Sequence, residues 1–207
     1  NCQMVSQELT KIYRQSDPYF VDLLNKVRHG VELNTVLPLL NQRCGKEADL
    51  KQTIITLTCT NRVADHINDG HLSKLPGDPI TFTGEASGRF AIEDEKLPSP
   101  LNLTLKVGAQ VMFTKNDERK RWVNGTIGKI VKLDFNTIRV EIKDRYDTVI
   151  HDVAKVTWKS FKYEYDGIAD SIVPVEMGRY VQYPLMLAWA VTIHKGQGKT
   201  LEKVRID

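Results

Sequence analysis

The segment Thr53–Cys59 constrains the fold more than any other part of the chain, because it is a short apolar run bounded by polar residues. Its centre, ITLTC, is rich in β-branched side chains, which predicts a buried strand. Thr60 and Asn61 follow, and both are residue types that cap helices. A helical pattern then runs to Asn68–Gly70. Strand, polar turn and helix in this order indicate an α/β fold, in which ligands usually bind at the carboxyl ends of strands.

Two helices are predicted before this strand. Ser16, Asp17 and Pro18 supply an N-cap and a proline suited to a first helical turn, and Gly30 supplies a stop. A second, shorter helix is expected over Val36–Arg43.

From Leu103 the pattern changes to short β-rich runs separated by turn residues. The runs are LTLKV, AQVMFTK, GTIGKIVKL, TIRVEI, DTVIHDVAKVTW, FKYEY and VPVEMGRYVQY. Five or six short strands in about eighty residues predict a small antiparallel barrel.

The organisation after Tyr183 returns to the first pattern. The apolar spacing over Leu187–His194 predicts a helix, and the final LEKVRID predicts a strand. The barrel, over residues 104–183, is therefore expected to be inserted into a discontinuous α/β domain formed by residues 1–103 and 184–207.

The composition excludes some classes of protein but does not indicate one function. The chain has 29 Lys and Arg against 26 Asp and Glu, a net charge of +3, which permits a polyanionic partner but does not require one. Its three cysteines show no CxxC or Cys/His spacing, so neither a disulfide framework nor a metal site is predicted. No apolar run approaches the roughly 20 residues of a membrane span, and no signal-peptide layout is present, so we expect an intracellular location, cytoplasmic in a bacterial cell.

The stretch IHKGQGKT nearly matches the phosphate-binding loop GxxxxGK[ST]. Gly198, Lys199 and Thr200 fit the end of that pattern, but its first glycine would fall at Ile193, and β-branched residues resist the required backbone conformation. Only seven residues follow Thr200, so the helix that presents its N-terminus to phosphate is not supplied. We therefore reject a phosphate loop here, and no other segment offers one.

Taken as a unit, Pro184–Asp207 resembles motif V of superfamily I helicases of the RecD and Pif type. Leu9–Gly30 is similar to the motif IV region of that family, and Leu57–Asn68 is similar to its next motif. LKVGAQVMFTKND followed by WVNGTIGKIV resembles the start of the family's small SH3-like insertion. The resemblance covers nearly the whole chain and is weakest over Leu72–Pro100 and Asp144–Asp170.

The resemblance implies two RecA-like motor domains that clamp ATP between them and step along single-stranded DNA. This chain would be the second motor domain, of the P-loop NTPase type without the P-loop, carrying an inserted SH3-like β-barrel. ATP and Mg²⁺ would be bound mainly by the first motor domain of the same polypeptide, and another arginine-bearing motif is expected after Asp207. The expected partners are that domain and single-stranded DNA, with the protein working as a monomer, and the chain alone is expected to be inactive.

Four residues are assigned to the nucleotide by the resemblance. Arg14 would sense the γ-phosphate across the cleft, because a guanidinium presents planar donors and stays charged. The alternative is a solvated arginine beside Asp17. Gln15 is its weaker neighbour, while Gln197 and Gly198 would approach nucleotide or DNA or simply end a helix.

Five residues are candidates for contact with DNA. Thr60 and Asn61 lie at a predicted strand-to-helix turn, where side-chain and backbone donors can hold a phosphate or merely cap the helix. Thr192, His194 and Lys195 offer a hydroxyl, an imidazole and an ammonium within one turn, the alternative for His194 being a structural histidine. Phosphate contacts of this kind position a strand without reading its sequence.

Other conspicuous residues are interpreted as structural. Trp189 is expected to pack in the core rather than to stack on bases. Asn124 and Gly125 are assigned to a hairpin turn, and the charged run Asp117–Arg121 to a solvated loop.

The rival to a helicase part is a binding module, in which the barrel over residues 104–183 recruits protein or nucleic acid and the α/β portion is scaffold. Two observations separate these functions. One is salt-sensitive binding of single-stranded DNA by the whole chain. The other is whether the turns after Cys59 and around His194 lie side by side on one edge of a sheet.

Overall fold

The structure, a computed structural model, describes residues 17–42, 44–45, 54–90, 97–143, 147–199, 201 and 203–207. The chain divides into two units, Asn1–Lys51 and Gln52–Asp207.

The first unit contains two helices, of which α1, Pro18–His29, has the predicted start and stop. The Asp17 carboxylate accepts hydrogen bonds from the backbone N–H groups of Tyr19 and Phe20, at 3.0 and 3.3 Å. Gly30 ends the helix with a φ of 68°, in the left-handed region that glycine adopts without strain.

Helix α2 covers Leu33–Asn41 and begins three residues before the predicted Val36. It starts early because the chain turns at Glu32, whose carbonyl oxygen accepts from the N–H groups of Thr35 and Val36 at 3.0 and 3.1 Å. None of the described helices combines the length and the apolar composition that crossing a bilayer requires.

The second unit is built around a three-stranded parallel sheet. Its central strand is β1, Ile55–Thr58, which confirms the prediction of a buried strand. Strands β12, Ala190–Thr192, and β13, Val204–Ile206, pair with β1 on either side, and β13 confirms the strand predicted for LEKVRID.

The prediction of a helix over Leu187–His194 is wrong. Half of this segment belongs to strand β11, Leu185–Leu187, and strand β12, and helix α4 covers only Ile193–Gly196. Pairing with β1 outweighs the helical apolar spacing, since the N–H of Thr56 donates to the Trp189 carbonyl oxygen at 2.8 Å.

Helix α3, Asn61–Ser73, packs against β1 and β12. It extends past the predicted end, so Gly70 lies inside the helix. The reason is Leu72, which is buried in the core and holds the last turn in place.

The rest of the second unit consists of antiparallel strands in three sheets. These are a pair of β2 with β4, a three-stranded sheet in the order β3-β10-β9, and a five-stranded sheet in the order β11-β5-β6-β7-β8. The bounds are β2 Ile80–Thr83, β3 Glu85–Gly88, β4 Asn102–Leu105, β5 Gln110–Phe113, β6 Ile127–Leu133, β7 Ile138–Lys143, β8 Thr148–Val153, β9 Val156–Asp166 and β10 Ser171–Gln182.

The predicted strands from β4 onward are present, but within the described residues they do not close into a barrel. Strands β9 and β10 are long, at 11 and 12 residues, and they pair with each other and with β3. This pairing draws them into a sheet of their own. Strands β2 and β3 were not predicted.

A continuous apolar core lies under the antiparallel strands. Its fully buried members, all at most 1% exposed, include Leu103, Leu105, Val111, Phe113, Ile130, Ile138, Val140 and Leu185. Each such side chain contributes roughly 1.5–3 kcal/mol through burial. The core is joined to the parallel sheet by Gln110, whose amide nitrogen donates to the carbonyl oxygens of Ile54 and Ala188 at 3.2 and 2.7 Å.

The charged run Asp117–Arg121 is a largely exposed loop, as predicted, and it also makes internal hydrogen bonds. The Asp117 carboxylate accepts from the Arg121 guanidinium at 2.7 and 2.9 Å and from the backbone N–H of Arg119 at 3.0 Å. The guanidinium also lies over the Trp122 ring, 4.3 Å from its centroid, and Trp122 is buried. The loop therefore covers the core.

This ion pair predicts a loss of stability in acid. Hydrogen bonds from Arg121 lower the pKa of Asp117 from 3.8 to about 2. Because the folded-state pKa lies below that of the unfolded chain, the stabilisation is present above about pH 4 and is lost as the pH falls towards 2. Urea unfolding of the wild type and of Asp117→Asn should therefore show a difference in free energy of unfolding that shrinks over this range. The control is Asp69→Asn on the exposed side of α3, and a difference that did not change with pH would contradict the prediction.

Candidate nucleic-acid-binding groove

Two strand-to-helix turns lie next to each other at one edge of the parallel sheet. Strands β1 and β12 are parallel neighbours, with Thr58 in register with Thr192. The carboxyl ends of both strands therefore meet at the same edge. One turn leads through Thr60 into α3, and the other leads through Thr192 into α4.

Both threonines cap the helix that follows. The Thr60 hydroxyl accepts from the N–H of Val63 at 3.4 Å, and the Thr192 hydroxyl accepts from the N–H of Lys195, also at 3.4 Å. The capping alternative is therefore observed for both residues. A hydroxyl that accepts in a cap keeps its own proton for a further acceptor. Thr60 is exposed, whereas Thr192 is only 6% exposed.

A cavity of about 570 Å³ lies over the two turns. It brings together all five residues predicted to contact DNA and adds two that were not assigned. The lining residues are Cys59, Thr60, Asn61, Arg62, Thr192, His194 and Lys195. None of these described lining residues is acidic, and Arg62 and Lys195 carry positive charge. The cavity therefore suits an anion.

Asn68 holds the two turns together, although sequence reasoning placed it only near a helix end. Its side chain is buried and makes two hydrogen bonds to the backbone of Ala190, donating to the carbonyl oxygen and accepting from the N–H, both at 2.9 Å. Strand β12 is at the edge of its sheet, so this amide takes the place of a neighbouring strand. A lone Asn in a helix carries no sequence signal for such a contact.

A second cavity of about 740 Å³ continues from the first, because Asn61 and Lys195 line both. Gln197 and Lys199 also line it. The structure thus places Gln197, a residue predicted to contact nucleotide, beside Lys195, a residue predicted to contact DNA. We call the two cavities together the groove.

Of the residues assigned to the nucleotide, Arg14 and Gln15 lie outside the described residues. Gly198 is exposed, with a φ of 78°, and has no atom within 4 Å of the position that a Cβ would take. Gln197 and Gly198 together offer one amide and one open stretch of backbone. In the described parts of the chain, no three His, Cys, Asp or Glu side chains are arranged to hold a metal ion.

The residues interpreted as structural are found largely as expected. Trp189 packs against the core and stacks on the ring of His71 at 5.3 Å, which confirms its packing role. Asn124 and Gly125 form a turn closed by the bond from the Thr126 N–H to the Val123 carbonyl oxygen at 3.0 Å. This turn lies within the longer loop between β5 and β6 rather than forming a two-residue hairpin.

Comparison with known proteins agrees with these features. No protein-family model matches the chain. The ATP-dependent DNA helicase Pif1 of Bdellovibrio bacteriovorus is 36% identical over 197 residues, which are 94% of this chain and 42% of that protein. The ATP-dependent DNA helicase PIF1 of Xenopus laevis is 31% identical over 210 residues, covering 100% of this chain and 32% of that protein.

Comparison with solved structures also finds similarity to Pif1 helicases. The crystal structure of Bacteroides sp Pif1 in complex with ADP-AlF4 matches with a TM-score of 0.80 at 32% identity, over 96% of this chain and 44% of that one. The chain is similar to the C-terminal half of Pif1-type superfamily I DNA helicases. Bacteroides Pif1 bound to ssDNA matches with a TM-score of 0.64 at 32% identity, over 97% of this chain and 45% of that one.

The chain spans less than half the length of each of these Pif1 proteins. The resemblance drawn from motif V and its companions is confirmed. The Pif1 structures also support a RecA-like helicase fold for this chain.

The role of Asn68 leads to a stability prediction. Asn68→Ala removes two buried hydrogen bonds and leaves the N–H and carbonyl oxygen of Ala190 without partners, so the free energy of unfolding should fall by about 2–5 kcal/mol. Chemical denaturation measures this loss. His66→Ala, on the exposed side of the same helix, should change stability by no more than about 0.5 kcal/mol. Equal effects of the two substitutions would show that Asn68 does not tie α3 to β12.

Proposed function

We propose that this chain is the second motor domain of an ATP-dependent DNA helicase and that its groove holds the phosphates of single-stranded DNA. The observation that carries the proposal is the position of the turns at Thr60 and Thr192, side by side in one cavity. The likeness to Bacteroides Pif1 bound to ssDNA supports DNA as the ligand.

The chemistry of the groove suits a sugar-phosphate backbone. Helix α3, of 13 residues, points its N-terminus at the cavity, where its first backbone N–H groups and the positive end of its dipole favour an anion. Arg62 and Lys195 add charge, and His194 is exposed beside them. These groups bind phosphate irrespective of the base, so a strand can move through the groove without regard to sequence.

We further propose that the chain completes an ATP site whose main part lies on the first motor domain of the parent. Arg14, with Gln15 beside it, would contact the γ-phosphate, and Gln197 and Gly198 would approach the nucleotide from the edge of the sheet. ATP and Mg²⁺ would be held mainly by the first domain, and hydrolysis there would supply the free energy for translocation and duplex unwinding.

For the domain organisation, we propose an SH3-like insertion over residues 104–183 within a motor domain formed by 1–103 and 184–207. The five-stranded antiparallel sheet and its dense core support a structural unit of this kind. Strand β11 belongs to this sheet, so the sheet extends past the proposed boundary at residue 183.

A binding module remains the second candidate, and one feature favours it. The β9–β10 hairpin exposes aromatic and aliphatic side chains, with Phe161, Tyr163 and Tyr165 at 48, 69 and 67% exposure and Ile168 fully exposed. Such a surface suits a protein partner. Salt-independent binding of single-stranded DNA, or none at all, would favour this function over the helicase part.

The DNA-binding role predicts how the affinity responds to salt. The 207-residue chain should bind an oligothymidylate, and the logarithm of its affinity should fall linearly with the logarithm of the salt concentration. Lys195→Met should reduce that slope by about 0.7, the amount expected for one lost phosphate contact on a single strand. The matched control is Lys162→Met on the β9–β10 hairpin, where the ammonium pairs with Glu164 at 3.2 Å. If the two variants gave the same slope, the groove would not be the DNA site.

The ATP-sensing role predicts a loss of turnover without a loss of DNA affinity. In a protein that joins this chain to the ATP-binding half, Arg14→Ala should lower DNA-stimulated ATP hydrolysis by about 1000-fold or more, the usual effect of removing such an arginine. Arg28→Ala, at the exposed C-terminal end of α1, should leave turnover nearly unchanged. Wild-type turnover in the Arg14 variant would refute the assignment.

A further inference from the structure

The second cavity of the groove contains a positively charged residue, Lys199, that is not among the proposed DNA contacts. It extends from Lys195 to Lys199 and is bordered by the loop between β5 and β6, from which Thr114 and Asn124 line it. The two cavities share Asn61 and Lys195 in their linings, so they lie next to each other.

The side chain of Lys199 has an unusual environment. It is only partly exposed, and its Nζ lies 3.0 Å from the sulfur of Met112, which is a weak acceptor. Within the described residues no carboxylate forms an ion pair with it. Burial lowers the pKa of Lys199, and the positive charge of Lys195 lowers it further. An ammonium in this position would be stabilised by an anion placed between the two lysines.

Gly125 allows Lys199 to occupy this place. A Cβ at Gly125 would lie 2.9 Å from Cδ and 3.1 Å from Cγ of Lys199, and Gly125 has a φ of 98°. The lysine stem therefore crosses directly against the turn between β5 and β6. Lys199, which follows α4 in the chain, is therefore held beside the antiparallel strands β5 and β6.

The remaining walls of the cavity suit the other parts of a nucleotide. Thr114 lines the cavity, and its buried hydroxyl has no hydrogen-bond partner among the described residues. Leu97, Pro98 and Met186 provide apolar surface for a sugar or base. Asp65 is the acidic residue of this lining, and it has an interaction partner.

We propose that the second cavity binds one nucleotide of the DNA strand, with Lys199 as a ligand of its phosphate. This nucleotide would be the neighbour of the DNA nucleotide bound at the two strand-to-helix turns. This inference rests on the proposed function, since it assumes that the strand lies in the groove. It adds a contact at the junction of the parallel sheet and the antiparallel strands. The DNA strand is then held by Lys195, in α4, and by Lys199, whose stem packs against Gly125.

The salt dependence of binding to an oligothymidylate tests the inference on the 207-residue chain. Between about 50 and 200 mM salt, Lys199→Met should reduce the slope of log affinity against log salt by about 0.7. Lys199→Arg should keep the wild-type slope, because it keeps the charge. Lys162→Met is again the matched control and should also keep it.

A second measurement uses the wild-type protein and does not depend on the folding of a variant. Acetylation of lysines, followed by mass spectrometry, should show that the oligothymidylate protects Lys199 and leaves Lys162 reactive. ATP added without DNA should not protect Lys199. Protection by ATP alone would show that the site binds the phosphates of ATP and not those of the DNA strand. This result would overturn the inference.

The outcomes separate this inference from the proposed function. If Lys195→Met reduces the slope while Lys199→Met does not, and Lys199 stays reactive in the presence of DNA, the inference is overturned and the DNA-binding groove stands. If the wild type shows no salt-dependent binding, the proposed function and the inference both fail.

Discussion

The groove depends on the parallel pairing of β1 with β12, which brings Thr58 into register with Thr192 and so places two helix-starting turns at one edge of a sheet. Strand β12 has only three residues and lies at the edge of the sheet. The amide of Asn68 bonds its outer edge from α3. A helix and a strand far apart in sequence are thereby joined, and the residues predicted to bind DNA become neighbours.

Electrostatics explains why this edge suits a polyanion although the net charge of the chain is only +3. Many charged side chains elsewhere in the described residues form ion pairs, as Arg121 does with Asp117 and Arg139 with Asp152. In the groove, Lys195 and Lys199 lie close enough to repel each other. Concentrated charge of one sign attracts a ligand far better than the same charge spread over the surface.

The two sheet systems of the second unit are linked by contacts of the partly buried side chains of Gln110 and Lys199. Gln110 extends from β5 to the carbonyl oxygens of Ile54 and Ala188, which border β1 and β12. Lys199 packs against Gly125 at the other end of the groove. A strand of DNA bound as proposed would touch both sheet systems.

Sequence alone was enough for the elements whose signals are local: the capped helix from Pro18, the strand at Ile55–Thr58 with its polar turn, the succession of short β-rich runs, and the motifs that revealed the helicase resemblance. Tertiary structure decided the rest. The segment Leu187–His194 has helical spacing but forms strands, because hydrogen bonds to β1 and β5 outweigh a local preference. The prediction of a closed barrel was wrong for the same reason. The sequence of a segment can show that it forms a strand, but it does not show with which other strand it pairs. The meeting of Thr60 with Thr192 and the burial of Asn68 likewise depend on long-range contacts, which no local pattern encodes.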